Sequence, residues 1–390
     1  MPTMSTMSTM ADWIPSLSQL IQLYFIIITS TALLAATLPP LRDSILTYGK
    51  LDAPSSSPCS STDTTNISNS SATPRRDTNT DHGRFISVLK TLRVPKTWFG
   101  HFYVFATIWF VYLSIDLVQY TSARSWALPH ILVSTYPYWS FLSLLNWLGI
   151  MPTGPSPQIS SWTPPAAVLL AMSCYWIHVL RRWYESWFVE RPSTGAQIHL
   201  GHYLVGISFY AAMAPALWVD AYESWVRVGS GPQWREYDLE NTQAELKGLL
   251  ESWRCVVGVG LFVWASWHQH RCHVILADLR KPVVVKTRGS SKAGGAEEAK
   301  GSQEYRVPFG DWFEYLVTPH YSAEMVIYFA LYLTLSSSSS SLSPMTLLFA
   351  WVWVVVNLGI VAKETDQWYR SRFGEAYAGQ RRAILIPFVY

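Results

Sequence analysis

Charge is what this chain lacks most: only 14% of its 390 residues are Asp, Glu, Lys or Arg, against 49% that are hydrophobic. A chain of that length would ordinarily make two or three soluble domains, but so apolar a composition calls for a lipid solvent instead. Cysteine is scarce too. Cys59, Cys174, Cys255 and Cys272 are isolated and form no CxxC pair, so neither a zinc cluster nor a disulfide framework is indicated, and no metal is expected. There is no Walker loop, no GxGxxG after a strand, no HExxH and no GxSxG. That removes the common soluble cofactor folds and the hydrolase elbows. The net charge is +3, with the basic residues in short connections rather than along one face, which argues against nucleic acid as a partner.

What is abundant points to a bilayer. The 20 Trp and 21 Tyr cluster near the ends of apolar runs, where rings with one polar edge favour the headgroup layer. Apolar windows of about spanning length fall at 14–38, 98–120, 163–180, 198–219, 253–276, 321–335 and 344–362. The expected fold is therefore an all-α integral membrane protein, a bundle of about seven transmembrane helices with a cofactor pocket on its cytosolic side. The first twelve residues carry no basic n-region, so the first window reads as an uncleaved helix. Segment 42–97 carries eight Lys/Arg and 280–306 carries seven, with Arg181, Arg182 and Arg191 between them, whereas 220–252 holds seven acidic and three basic residues. If the basic loops all face the cytosol, an even number of crossings separates each successive pair, which seven spans satisfy and eight do not. The ambiguous window 130–149, with Pro137 among Tyr136, Tyr138 and Trp139, then becomes an interfacial or re-entrant segment. The N-terminus is lumenal and the C-terminus cytosolic on this reading.

Composition divides the chain further. Residues 1–52 hold the first helix, 53–82 form a Ser/Thr/Asn-rich disordered linker, 83–250 the central helices and 251–390 a C-terminal cofactor-binding domain. The sequons at Asn66 and Asn69 lie in the linker and should stay unmodified on this topology. The serine run 336–341 reads as a short lumenal turn and 289–302 as a flexible cytosolic insertion.

Polar residues crowd the cytosolic ends of the last helices: His268 to His273, Leu279 to Pro282, Tyr305 to Tyr315, and Pro319 to Glu324. Ionisable groups at membrane depth are expensive, which makes them functional candidates. Basic residues beside aromatics and carboxylates suit a nucleotide with phosphates, ribose hydroxyls and flat rings. His268, His270 and His273 can equally be read as interfacial side chains or as a partial metal site. Glu324 lies in an otherwise apolar run and needs a partner of the type of Arg280 or Arg306.

The segments Leu279-Arg280-Lys281-Pro282, Tyr305-Arg306-Val307-Pro308, Trp312 to Glu324, Trp368-Tyr369 and Ala383 to Phe388 resemble the C-terminal domain of the steroid 5α-reductase family. Val94 to Tyr103, Leu180 to Glu185, Ile198-His199 with Tyr203, and His268 to Leu276 resemble its polyprenol reductase branch. Tyr48-Gly49-Lys50 also resembles the family. The resemblance runs from about 40 to 390 with gaps at 53–82, 220–250 and 286–303. It implies NADPH as cofactor and hydride transfer to an activated carbon-carbon double bond. It also implies cofactor-contacting roles for Arg280, Arg306, Glu324 and Tyr369, with Lys281, Gln269, His273, Tyr315 and His320 beside them and Tyr48 and Trp98 at the edge. Asp366 stands where the family has a histidine, so no catalytic histidine is expected near the C-terminus.

Hydride adds poorly to an isolated alkene because the charge it leaves has nowhere to delocalise; an adjacent carbonyl turns that charge into an enolate. The resemblance and this chemistry together imply a long-chain polyprenal as acceptor, within dolichol synthesis for protein glycosylation in the endoplasmic reticulum membrane. No obligate protein partner is evident. A donor should polarise the carbonyl oxygen. His101, close to where the steroid enzymes place a catalytic carboxylate, is the first choice and Glu185 the second. The structural alternatives are a helix-capping His101 and a Glu185 paired to an arginine one turn away. Three other readings stay open: a steroid enone or enoyl-CoA reductase, a membrane methyltransferase of the isoprenylcysteine type, and a non-catalytic lipid-binding protein of the same fold.

Overall fold

A computed structural model describes residues 15–42, 91–122, 140–150, 164–192, 195–228, 239–281, 306–337 and 343–386. Tyr48, the 53–82 linker with its sequons, residues 130–139, the 289–302 insertion and residues 338–341 of the serine run lie outside the described residues.

Every one of the seven apolar windows folds as a helix. In chain order the longer helices are α1 (Leu17–Thr37), α2 (Phe99–Ser122), α3 (Phe141–Trp147), α4 (Ala166–Tyr184), α5 (Leu200–Ala216), α6 (Val219–Val228), α7 (Leu239–Glu251), α8 (Trp253–Asp278), α9 (Pro319–Leu335) and α10 (Met345–Phe373). Helix α1 starts at a reciprocal cap in which Ser16 Oγ accepts from the Gln19 N–H and the Gln19 side chain accepts from the Ser16 N–H. Pro319 sits at the first position of α9, where its missing N–H costs nothing.

Four of these helices are long and apolar enough to cross a bilayer, and a fifth passes only when α7 and α8, bent by 71° at Ser252, are taken together. The expected count of seven crossings is not established by that measure. Helix α4 carries His178, Arg181 and Arg182 on a buried face, and α9 has only 17 residues. Such helices are sheltered by neighbours rather than lipid, so their hydropathy is diluted by the groups they present inward.

One hydrophobic core runs through the bundle, from Leu17 and Phe25 on α1 to Leu385 beyond α10. Helices α8 and α9 approach closely at Gly258: a Cβ there would meet Thr334 Oγ1 at 2.5 Å and Ala330 O at 3.0 Å on α9. Only glycine lets the two backbones approach so nearly. Helix α1 lies along α10 and touches α5, where Tyr24 O–H and Ser208 Oγ are 2.7 Å apart and Phe25 packs edge-on to Phe209. Its start is tied down by the buried Glu223 carboxylate, which accepts from the Ser18 N–H and from the Ser16 and Ser18 hydroxyls.

Two small devices shape the opposite end. A two-stranded ribbon pairs β1 (Arg93–Pro95) with β2 (Gln197–His199), Val94 facing Ile198, and so ties the start of α2 to the start of α5. Beyond α10 the chain returns beside the residues that precede α9. Val317 N–H donates to Ala383 O, Thr318 N–H to Ile384 O, Ala383 N–H to Tyr315 O, and Ser322 Oγ to Leu385 O. Asp366 holds this return: buried, it accepts from Tyr377 O–H at 2.9 Å and Arg370 Nε at 2.7 Å. Burial, then the bond to Asp366, pushes the Tyr377 hydroxyl above its usual range. The residue that departs from the family's histidine is thus a structural clamp.

Candidate active site

Helices α2, α4, α5, α8, α9 and α10 enclose a cavity of about 790 Å³. Along α10 its lining recurs at Trp353, Asn357, Val361, Thr365, Trp368 and Tyr369. Spacings of three to four place these on one helix face, and sixteen residues at about 1.5 Å each make the chamber roughly 24 Å long. Its two ends differ in chemistry. The rim carries Lys96, Arg191, Arg280, Lys281 and Arg306, with the aromatic rings of Tyr321, Trp368 and Tyr369 beside them. The deep end is apolar: Phe209, Tyr328, Trp353, Val354 and Leu358.

Between the ends lies an ionic network centred on a fully buried carboxylate. Glu185, in a π-helical turn that continues α4, has no exposed surface. Its Oε1 accepts from Arg181 NH1 at 2.7 Å and faces His270 Nδ1 at 2.8 Å. Its Oε2 accepts from Arg182 NH1 at 2.6 Å and faces His273 Nδ1 at 2.7 Å. Spacings of four and three residues put both arginines on the face of α4 from which Glu185 projects, so the network begins as a helical pairing rule. Arg182 goes on to the Tyr103 hydroxyl at 3.1 Å and to Glu190 at 2.9 Å. Burial, the largest single influence, would raise the Glu190 carboxyl, but the Arg182 and His273 charges and the Arg182 hydrogen bond together outweigh it and hold the group below the usual carboxylate range. Arg181 donates to Gln269 Oε1, and Gln269 Nε2 donates to Glu324, so one chain of bonds joins the buried Glu185 to the partly buried Glu324.

Glu324 is therefore paired differently from expectation. Its partners are Gln269 and His178, whose Nε2 lies 3.3 Å away, and not Arg280 or Arg306. Arg280 donates to Arg191 O and Arg306 to Leu279 O, both near the solvent rim, while Glu324 sits more than a turn inside α9. The heads of Arg280 and Arg306 stay where water can reach them; an amide and an imidazole cost less to bury.

The sequence-selected residues divide cleanly by position. Gln269, His273, Arg280, Lys281, Arg306, His320, Glu324 and Tyr369 all line the chamber. His320 Nδ1 is buried without a hydrogen-bond partner among the described residues, as expected of a group awaiting a ligand. Tyr315 is 70% exposed, and Trp98 packs on His101 and Tyr203 outside the lining. His101 is exposed too, with Nδ1 3.3 Å from the Tyr203 hydroxyl. Glu185 lies behind the wall; its direct partners Arg182 and His273 line the chamber. Of the three neighbouring histidines, His268 instead pairs with Asp311 at 2.7 Å and stacks on Trp312.

Sequence reasoning assigned no site role to Lys96, Arg182, Glu190, Arg191, Tyr103 or Tyr321, which all line the chamber. The signal for Arg182 was present as an Arg-Arg pair one turn before a glutamate at the end of an apolar helix. Its use as a topology marker concealed it.

Fold and site define a polytopic membrane protein with a chamber that is basic and aromatic at one end and apolar at the other. The profile of the 3-oxo-5-alpha-steroid 4-dehydrogenase family matches residues 231–390. The chain is 30% identical over 304 residues to the polyprenal reductase of Homo sapiens, covering 76% of this chain and 78% of that protein. It is 30% identical over 304 residues to the polyprenal reductase of Xenopus tropicalis, covering 77% and 82%. To polyprenal reductase 1 of Oryza sativa subsp. indica it is 34% identical over 233 residues, covering 57% and 58%. The chain belongs to the steroid 5α-reductase family of membrane oxidoreductases.

Proposed function

We propose that this protein reduces the α-isoprene double bond of a long-chain polyprenal with NADPH, a step of dolichol synthesis in the endoplasmic reticulum membrane. The observation that carries the reading is the chamber's polarity: five cations at the rim and an apolar floor about 24 Å away. A phosphorylated dinucleotide needs the first and a prenyl chain the second. Lys96, Arg191, Arg280, Lys281 and Arg306 would take the phosphates, with Tyr321 and Tyr369 against the flat rings. Glu324, Gln269 and His320 would meet the cofactor's amide and hydroxyl groups. When bound, the cofactor supplies a hydride. The protein's own part is to exclude water from the reacting carbons and to bind the growing enolate charge. The Glu185 network holds Arg182 and His273 in one orientation toward the chamber.

The basic rim faces the cytosol on this reading, with the N-terminus lumenal and the C-terminus cytosolic. Glycosylation at Asn66 or Asn69 would reverse that orientation. Function is tested with purified protein in lipid, supplied with NADPH or NADH and with a polyprenal, a polyprenol or a steroid enone. Reduction of the polyprenal with NADPH is the expected result; preference for the steroid enone, or for NADH, would refute the corresponding part.

A further inference from the structure

Water cannot satisfy a hydroxyl in the interior of a membrane bundle, so a buried one without a partner is costly. Two tyrosines here are in that position: Tyr175 on α4 and Tyr328 on α9, each 1% exposed and without a hydrogen-bond partner for its hydroxyl among the described residues. They differ in one respect. Tyr328 lines the chamber and Tyr175 does not. Of the other chamber tyrosines, Tyr103 is already engaged by Arg182, and Tyr210 by Tyr103.

Tyr328 is placed for a specific task. It stands four residues beyond Glu324, hence on the same face of α9 and about 6 Å further from the rim. Its ring is held edge-on to His178, centroids 5.9 Å apart, and against Phe209 at 5.8 Å, so its direction is set by packing. Around it the lining is largely apolar, with Phe209, Val354 and Leu358 beside it; the polar side chains nearest along the lining are Trp353 and Asn357 on α10 and Tyr210 on α5. His101, the donor expected from the sequence, lies outside.

We infer that Tyr328 is the carbonyl-binding residue: its hydroxyl donates to the aldehyde oxygen of the enal. The assignment rests on the reductase reading above. As hydride bonds to the β-carbon, the π pair of the double bond shifts through the α-carbon to give an enolate oxygen. The Tyr328 hydrogen bond strengthens as that charge develops, which is where it lowers the barrier. The tyrosine keeps its proton; once hydride transfer is complete the α-carbon takes a proton from water entering at the rim, and the saturated aldehyde leaves. A single helix would thus present a cofactor-facing carboxylate and, one turn deeper, a substrate-facing phenol.

The test compares the full-length protein in nanodiscs with its Tyr328→Phe, Tyr175→Phe and His101→Ala variants, using NADPH and a short-chain polyprenal. Tyr328→Phe should lower kcat by about 10²–10³-fold, the cost of one oxyanion donor, with NADPH affinity unchanged. Its melting temperature should equal or exceed the parent's, because an unsatisfied buried hydroxyl has been removed. Tyr175→Phe should keep full turnover. Equal turnover in Tyr328→Phe and parent, a loss confined to His101→Ala, or a fall in melting temperature that parallels the loss of activity would each overturn the assignment. A parent protein that binds NADPH yet reduces no enal would refute the reductase reading itself, and the assignment with it.

Discussion

Replacing Glu185 by alanine removes the carboxylate on which two arginines and two histidines converge, and the structure sets the size of the effect. Breaking a buried ion pair by deleting one member costs about 3–5 kcal/mol, because the remaining charge is left without compensation. Here both arginines retain something: Arg182 keeps Glu190 and Tyr103, and Arg181 keeps Gln269. The cost should therefore fall at the lower end, about 3 kcal/mol, or roughly a hundredfold in an equilibrium constant. Glu185→Gln preserves the shape and one acceptor oxygen but turns an NH2 toward Arg182 or His273, for a loss of about 1–3 kcal/mol. Thermal unfolding of the purified protein should give the order parent, glutamine variant, alanine variant. NADPH binding should weaken in the same order, because Arg182 and His273 lose the anchor that aims them into the chamber. An alanine variant that melts with the parent and binds cofactor equally well would refute the idea that this carboxylate organises the site.

Glu190 supplies a pH signature. Its carboxyl is held below its ordinary value of 4.5, so its stabilising pair with Arg182 is complete above that pH and lost as pH falls through the lowered folded value. The melting temperature of the parent should drop on acidification below about pH 4.5, and Glu190→Gln should flatten that slope while leaving the neutral range displaced by a constant amount. An identical acid slope would show that other groups carry it. Gly258→Val forces a side chain into Thr334 and the α9 backbone, and should cost about 1–3 kcal/mol of bundle stability, read as reduced yield of monodisperse protein. Arg280→Ala should raise the NADPH dissociation constant about 10–100-fold with little change in melting temperature, and should weaken its salt dependence. Unchanged affinity would remove Arg280 from the cofactor site.

The helices were legible because lipid imposes long apolar runs, and all seven windows fold as helices, although α10 continues eleven residues past its expected end at 362 to Phe373. Which of them cross the bilayer alone was not legible. Helix α4 hides a buried ionic face, and α8 reaches spanning character only with the bent α7, features of tertiary shelter that a linear hydropathy reading cannot register. On the site, Gln269, His273, Arg280, Arg306, His320, Glu324 and Tyr369 line one chamber. The partner of Glu324 was missed because opposite charge was sought in sequence, whereas the fold brings the neutral pair Gln269 and His178 from two other helices. Tyr328 gave no sequence signal: an aromatic in an apolar run looks like core until the structure shows its hydroxyl alone beside a chamber.

The tail beyond α10 sets an order on biosynthesis. Residues 383–385 bond to Tyr315, Val317, Thr318 and Ser322, bracing the segment from which the chamber wall at Thr318, His320 and Glu324 continues. The ribosome must have passed Leu385 before that brace can form. Helices inserted earlier therefore wait with an unfinished pocket, and translation that halts between α10 and Leu385 should yield a chain that enters the membrane yet holds its nucleotide poorly.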